Sequence, residues 1–461
     1  MVFLDGTVVN VALPRIGNDF NAPISELQWV LNSYLLALAS LILLGGSLGD
    51  RYGRKKMFIL GAAWFTAASA LCGLAPSVEW LIAGRVLQGV GGALLAPGSL
   101  AILEAGFARE DRSRAIGLWS GLAGVSVAIG PPLGGYLIDA VSWRAVFFLN
   151  IPLGIAVVLV SLRHIPESRD EALVGEIDFA GAGLAVVALG GISWALIEGP
   201  GRGFGSPAVL TALIAGLVAV GLFLIRERRA KEPMLPLELF HSKTFTAANL
   251  LTFVVYGAFG GALFLLTVLL QTGLGYSPLV AGLATLPVTF VMLLFSARSG
   301  AVAQKIGPRL PLTLGPLVIA ASLLAMHTIG TDSNYLTGVL PCILLLSVGL
   351  VIVVAPVTAT TLAAAPDERA GVASAVSNAV SRTGQLFAIA LLPAIGGLTG
   401  DEYDNPNAIV SAFQTGVLFS AALCVIGAAI AWLMIDNKCL EGAKVSAPAS
   451  SPAPHGGSAG G

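Results

Sequence analysis

Charge is what this sequence has least of. Asp, Glu, Lys and Arg make up 11% of its 461 residues, against about 25% in a soluble domain. A bare charge is costly in hydrocarbon. Beside 56% hydrophobic residues, the shortage excludes an ordinary soluble domain and points to side chains that face lipid or one another. The lysines and arginines sit in short loops and build no broad basic face, which excludes a nucleic-acid surface. Cysteine and histidine are scarce too, four of each. Cys72, Cys342 and Cys424 lie inside apolar runs, Cys439 stands apart, and His164, His241, His327 and His455 are scattered. That pattern argues against a disulfide framework and against a metal site. No Walker sequence is present, so direct drive by a nucleotide is not expected. No His, Asp or Glu cluster marks a polytopic enzyme. No repeated pore loop or charged ring marks a channel.

What the sequence has is long apolar runs. A helix crossing the bilayer needs ~20 apolar residues, because the hydrocarbon is ~30 Å thick and each residue rises ~1.5 Å. Fourteen runs qualify or come close: Val2–Pro14, Leu27–Gly49, Met57–Ala75, Trp80–Leu103, Ala115–Val141, Ala145–Leu162, Ile177–Ile197, Ala208–Ile225, Phe245–Leu270, Leu279–Val302, Leu312–Ile329, Leu336–Ala364, Gly371–Leu398 and Ile409–Met434. With the N-terminus placed inside, 20 of the 25 lysines and arginines fall in cytoplasmic loops or the tail. Arg15, Arg144 and Arg202 fall outside, and Arg85 and Arg382 lie within helices. This asymmetry predicts cytoplasmic N- and C-termini. Arginine outnumbers lysine 18 to 7 beside abundant alanine and glycine, which reads as G+C-rich coding and a bacterial cytoplasmic membrane. Met1 opens directly into an apolar run, so no cleavable leader is expected. The Ser/Ala/Pro/Gly-rich end predicts a disordered tail over residues 436–461.

A motif repeats. After the second run the chain reads Gly46-Ser-Leu-Gly49-Asp50-Arg51-Tyr-Gly53-Arg54-Lys55-Lys56, and after the tenth Gly300-Ala-Val-Ala-Gln304-Lys305-Ile-Gly307-Pro308-Arg309. Transporters built from two parallel six-helix halves separate such copies by six helices. Here they stand eight apart, so two helices are inserted. The expected organisation is a six-helix bundle over residues 1–162, a two-helix insertion with its linkers over 163–243, a second six-helix bundle over 244–435, and the tail.

Five motifs together resemble the major facilitator superfamily, and within it the fourteen-helix drug:proton antiporters of the EmrB/QacA type. They are Leu4-Asp5-Gly6-Thr7-Val-Val-Asn10-Val-Ala12-Leu13-Pro14 in helix one, the Gly46–Lys56 loop, and Arg85-Val-Leu-Gln88-Gly89-Val-Gly91-Gly92-Ala93 in helix four. Gly121-Leu-Ala-Gly124 with Gly130-Pro131-Pro132-Leu-Gly134-Gly135 in helix five is similar to the antiporter motif of exporters. Trp143-Arg144-Ala-Val-Phe147-Phe148-Leu-Asn150-Ile-Pro152-Leu-Gly154 is typical of the fourteen-helix branch. The resemblance implies an all-α membrane protein of major facilitator fold, not an enzyme. It implies efflux of amphipathic, often cationic, small molecules (drugs, dyes, antibiotics) by alternating access, driven by the proton gradient without a cofactor. A dedicated exporter of one natural product is the alternative. The expected partners are that substrate, protons and membrane lipid, with no nucleic acid and no nucleotide, and the chain is expected to act as a monomer.

The chemistry falls on few residues. Asp5 is a carboxylate in an apolar helix, where desolvation disfavours the charged form, so it has the means to load and release a proton. Arg85 is too costly to bury without acceptors, and Gln88 lies three residues on, on the same face. The resemblance assigns Asp5 and Arg85 to proton coupling. Arg382, with Gln385 three residues later, repeats the pattern in the second half. Gly121, Gly124, Gly130, Gly134 and Gly135 present small surfaces for close helix approach, and Pro131-Pro132 removes two donors, which together predict a hinge for gating. Gly46, Gly49 and Gly53 allow a tight reversal in which Asp50, Arg51 and Arg54 form a cytoplasmic latch. Asn10, Asn32, Tyr34, Phe253, Tyr256, Gln271 and Asn378 are candidates for the substrate cavity. The first run is short for a span, whereas the helix-one signature sets its aspartate deep; this predicts that the reading frame extends upstream of Met1.

Overall fold

The computed structural model of the chain describes residues 1–107, 109–169, 177–230, 233–366, 369–398 and 405–440; most of the expected tail, from 441 on, lies outside them. Among the described residues there are fourteen long helices and no strand. They are α1 (Val2–Phe20), α2 (Ile24–Tyr52), α3 (Arg54–Gly73), α4 (Val78–Gly106), α5 (Arg109–Ala140), α6 (Arg144–His164) and α7 (Phe179–Arg202). Then follow α8 (Pro207–Arg229), α9 (Lys243–Gly273), α10 (Pro278–Ile306), α11 (Arg309–Met326), α12 (Tyr335–Ala363), α13 (Ala370–Ile395) and α14 (Pro406–Met434).

The first helix corrects its expected length. It passes Pro14 and Arg15 and stops only at Asn21, which takes the left-handed conformation (φ 51°). Burial overrides the proline: Leu13, Ile16 and Gly17 are all buried on either side of it. The 19 residues reach about 28 Å, close to the hydrocarbon thickness of ~30 Å. Twelve of the described helices are long and apolar enough by themselves to cross a membrane; α1 and α13 fall short. Those two carry Asp5, Asn10, Arg15 and Asp19, and Asn378, Arg382 and Gln385. Polar residues deep in a membrane span avoid lipid: Asp5 and Asn10 are buried and Arg382 and Gln385 half-buried, whereas Arg15, Asp19 and Asn378 are exposed.

The packing repeats with the motif. In the first half α2 and α3 pack on α4, α5 on α1, and α6 on α3. In the second half α10 and α11 pack on α12, α13 on α9, and α14 on α11, each helix number raised by eight. Two packings join the halves, α2 on α13 and α5 on α10, and the same shift exchanges them. The extra helices pair with each other, and α7 also lies against α2 and α13. Trp29 Nε1 donates to Glu198 Oε1 at 3.2 Å across the α2–α7 contact.

Hydrogen bonds across the seam cluster at the end opposite the basic loops. Gln28 Nε2 donates to the carbonyls of Ile389 (2.7 Å) and Ala390 (3.0 Å), Gln271 Nε2 to Val11 O (2.9 Å), and the Leu279 N–H to Asp139 Oδ2 (3.1 Å). At the basic end the ties described below stay within one half. Cys72, Cys342 and Cys424 are buried, and burial pushes the Cys439 thiol, beyond α14, up to about 11.

Candidate functional site

The largest fully buried side chain is that of Arg85, on α4. Its guanidinium faces α1: Nη1 donates to Asp5 Oδ2 at 2.5 Å and to Gln88 Oε1 at 2.7 Å, and Nε donates to Val30 O on α2 at 3.0 Å. Asp5 and Arg85 are both fully buried at their side chains. The carboxylate's other oxygen, Oδ1, accepts from Gln88 Nε2 (2.7 Å) and from Asn150 Nδ2 on α6 (3.1 Å). Ser69 on α3 closes the circuit. Its hydroxyl accepts from Gln88 (3.2 Å) and Asn150 (3.0 Å) and donates to Phe147 O (2.9 Å). Arg85 lies over the Tyr34 ring, 4.3 Å from its centroid, where the π face offsets part of the cost of burying a cation. Nη2 of Arg85 and Oδ1 of Asn150 have no partner.

A buried pair gains little net stability, because desolvation consumes most of the Coulombic attraction; breaking it by removing one partner is strongly destabilising. The arrangement is a clasp: three donors, from Arg85, Gln88 and Asn150, meet one carboxylate and join α1 to α4 and α6. Sequence reasoning placed Asp5, Arg85 and Gln88 here. It missed Ser69, Asn150 and the Val30 carbonyl, of which only Asn150 carried a signal, through its motif. That motif's Trp143 and Arg144 serve elsewhere. Trp143 Nε1 (2.8 Å) and Arg144 Nη1 (3.0 Å) donate to Asp19 Oδ2, fixing the end of α1 to the start of α6.

Arg382 stands apart from this clasp. Under the eightfold shift of helix number, the counterpart of α4 is α12, whereas Arg382 sits on α13, the counterpart of α5. The second half therefore has no copy of Arg85 at this position. Arg382 instead reaches across to α1, 5.6 Å from the Phe3 ring centroid.

Within the latch, Asp50 Oδ1 accepts from Arg54 Nε at 2.7 Å, one turn on. The reversal at Gly53 (φ 111°) is held by the segment after α6: Glu167 accepts from the N–H groups of Lys55 (3.0 Å) and Lys56 (3.2 Å), and Arg54 N–H donates to Ser168 O (2.8 Å). A Cβ on Gly53 would meet the Glu167 carboxyl at 2.7 Å. Gly49 is buried and Gly46 sits near Pro97. The second copy uses the same plan with an amide. Gly307 has φ 86°, Asn437 Oδ1 accepts from Arg309 N–H (3.3 Å), and Asn437 Nδ2 donates to Ile306 O (3.4 Å). Glu167 lies three residues past the end of α6, and Asn437 three past the end of α14.

Helix α5 runs unbroken through Pro131-Pro132. Its glycines serve two contacts. Gly130 lies against Thr7 and Gly134 against Val8, both on α1, while Gly135 meets the backbone of Pro278 and Leu279 on α10. From α10, Gly282 meets the backbone of Pro131 and Pro132 in return. Nothing lies near Gly124, and the surroundings of Gly121 fall outside the described residues.

The cavity candidates separate. Gln271 is engaged in the seam bond to Val11 rather than free in a cavity. Tyr34 is buried on the Arg85 face, and Phe253 packs edge-on against Phe387. Asn10 and Asn32 are buried with unpartnered side-chain atoms. Tyr256 is half-buried, and Asn378 is exposed with its amide donating to Ser374 O. No three His, Cys, Asp or Glu side chains stand together as metal ligands among the described residues.

Comparison with known proteins accords with this geometry. The family model described as Major Facilitator Superfamily matches residues 1–389. The tetracenomycin C resistance and export protein of Streptomyces glaucescens is 37% identical over 425 residues, covering 92% of this chain and 79% of that protein. The methylenomycin A resistance protein of Bacillus subtilis (strain 168) is 35% identical over 438 residues, covering 94% and 92%. Among solved structures, a D-xylose–proton symporter aligns with a TM-score of 0.63 at 16% identity over 94% of this chain and 95% of that one, a likeness of fold.

Proposed function

This chain belongs to the Major Facilitator Superfamily, and from that premise we propose that it exports amphipathic small molecules across the cell membrane in exchange for protons. The observation that carries the reading is the buried Asp5–Arg85 pair with its Gln88 and Asn150 donors. Ionised, Asp5 draws Arg85, Gln88 and Asn150 together and ties α1 to α4 and α6. A proton taken up by Asp5 frees Arg85 and both amides, and α1 can shift. Helix α1 touches the second half through Gln271 and carries the α5 glycines on its flank, so loosening it loosens the seam. Proton entry is thereby linked to the change of access.

Sidedness follows from the loops. With the basic loops in the cytoplasm, both termini are cytoplasmic, and the seam bonds of Gln28, Gln271 and Asp139 close the molecule on the outside. The described conformation then faces the cytoplasm, ready to load substrate. The latches at Gly53 and Gly307 stiffen each half on that side. A cofactor has no part in this cycle, whose energy is the proton gradient. A second reading, export of one natural product, is favoured by the relatives named for resistance to tetracenomycin C and methylenomycin A.

Dye efflux from cells tests the proposal, with wild type compared to Asp5→Asn and Arg85→Ala. Each variant is expected to lower gradient-driven efflux by at least about tenfold, a barrier change of ~1.4 kcal/mol. Efflux that survives collapse of the proton gradient overturns the exchange, and unimpaired efflux in both variants overturns the assignment of the pair.

A further inference from the structure

Among the described residues Arg382 has no counter-ion, and it sits at the middle of a membrane helix. It lies twelve residues from Ala370 and thirteen from Ile395 in α13, about 18 Å from either end. The ion pairs of the described residues engage Arg54, Arg85, Arg144, Arg202, Arg226 and Arg369, and Arg382 is not among them. Asp5, the fully buried carboxylate of α1, is already bound to Arg85. The centre therefore holds two guanidinium cations and one carboxylate. An uncompensated charge at this depth is expensive and marks a site by default. Mid-helix position also removes it from the level of lipid headgroups.

Its surroundings are aromatic. The guanidinium stands 5.6 Å from the Phe3 ring on α1, and Tyr256 belongs to the stretch of α9 packed on α13 beside it, where Gly257 meets the Gly384 backbone and Gly260 the Gln385 side chain. Both Arg382 and Tyr256 are only half-buried. On the same stripe of α1 as Phe3, Gly6 borders open space and Asn10, 8% exposed, has an unpartnered Oδ1. On α13, Asn378 and Gln385 flank Arg382 one turn to either side.

We infer that Arg382, with the rings of Phe3 and Tyr256, forms the recognition site for substrates whose flat aromatic body carries an acidic group, a carboxylate or an ionised phenol. The inference deepens the export reading and rests on it. A planar guanidinium takes a carboxylate through two parallel hydrogen bonds and stacks on aromatic faces. An anionic ligand supplies the charge that the protein withholds, while its ring replaces water against Phe3 and Tyr256. This departs from the often cationic substrates that the family resemblance implies, because Asp5 spends its charge on Arg85.

Two xanthene dyes test it: fluorescein, which is acidic, and rhodamine 6G, which is esterified and cationic. Binding of each to the full chain, purified in a non-ionic detergent free of lipid, is measured by fluorescence anisotropy, and efflux of each from loaded cells is measured alongside. Arg382→Gln is expected to shift the ratio of fluorescein to rhodamine affinity by at least about tenfold against fluorescein, since losing one partner of a desolvated charge pair is costly. Arg382→Lys, which keeps the charge, is expected to retain most of the wild-type ratio. Equal weakening of both dyes by Arg382→Gln, no effect on either, or a wild-type preference for rhodamine 6G overturns the inference. Charge-selective binding beside efflux that ignores the proton gradient sinks the exchange mechanism and leaves the site standing.

Discussion

At the scale of single residues, the centre of the molecule is a competition for few counter-charges. Asp5 has four lone-pair directions and three donors in contact: Arg85, Gln88 and Asn150. Removing the guanidinium leaves that carboxylate buried without its cation. Arg85→Ala is therefore expected to destabilise the protein by about 3–5 kcal/mol, the usual penalty for orphaning a buried charge. The double variant Asp5→Asn with Arg85→Gln removes both charges and is expected to recover most of that loss without recovering transport. Thermal unfolding of the purified chain, read beside efflux, checks this. If the double variant is no more stable than Arg85→Ala, the pair is not the source of the cost. Asp5, Arg85 and Gln88 were legible in the sequence because a charge in an apolar run is anomalous by itself. Ser69 and the Val30 carbonyl were not, since nothing distinguishes a serine or a backbone oxygen until a folded neighbour needs it.

At the scale of elements, bilayer thickness made the helices legible and packing decided their ends. Runs of ~20 apolar residues are forced wherever a chain crosses hydrocarbon, so fourteen helices are countable in the sequence alone. The errors lie where polar residues stay helical. Helix α1 continues through Pro14 and Arg15, and α7 continues to Arg202, which pairs with Glu198 at 2.9 Å. The latch was half legible. Two glycines with positive φ announced the turns, but Glu167 and Asn437, which close them, lie over a hundred residues away in the chain. The α5 glycines separate in the same way. Gly135 and Gly282 face backbone across the seam, with no side chain that could yield, whereas Gly124 borders open space. Gly135→Leu or Gly282→Leu is expected to hold the α5–α10 contact apart and to lower efflux by at least about tenfold. Gly124→Ala is expected to change stability by no more than about 0.5 kcal/mol, as at an uncrowded site. Accessibility of a cysteine placed at Ile138, buried one turn beyond Gly135 on α5, reports the separation. If that position remains as protected in Gly135→Leu as in wild type, the glycines do not govern the contact.

At the scale of the whole molecule, two halves related by a shift of eight helices meet through two exchanged packings, α2 on α13 and α5 on α10, with α7 laid against the first of them. Packed interfaces have discrete arrangements, so such halves rock between states instead of deforming smoothly. The bonds described across the seam lie at the end away from the basic loops, where Asp139 accepts from the Leu279 N–H at 3.1 Å. A covalent bond there must hold one state. Four native cysteines complicate labelling little, because three are buried and the Cys439 thiol is pushed up to about 11. In the double variant Asp139→Cys with Leu279→Cys, a disulfide is expected to trap the molecule closed at that end. Efflux should stop on oxidation and return on reduction, while binding of substrate from the basic side persists in both forms. Binding separates the outcomes: a trapped molecule that still loads but cannot release has lost only its change of access. Efflux that continues through the cross-link would mean that the halves do not need to part at this end, and the rocking of α5 against α10 would not be the transport step.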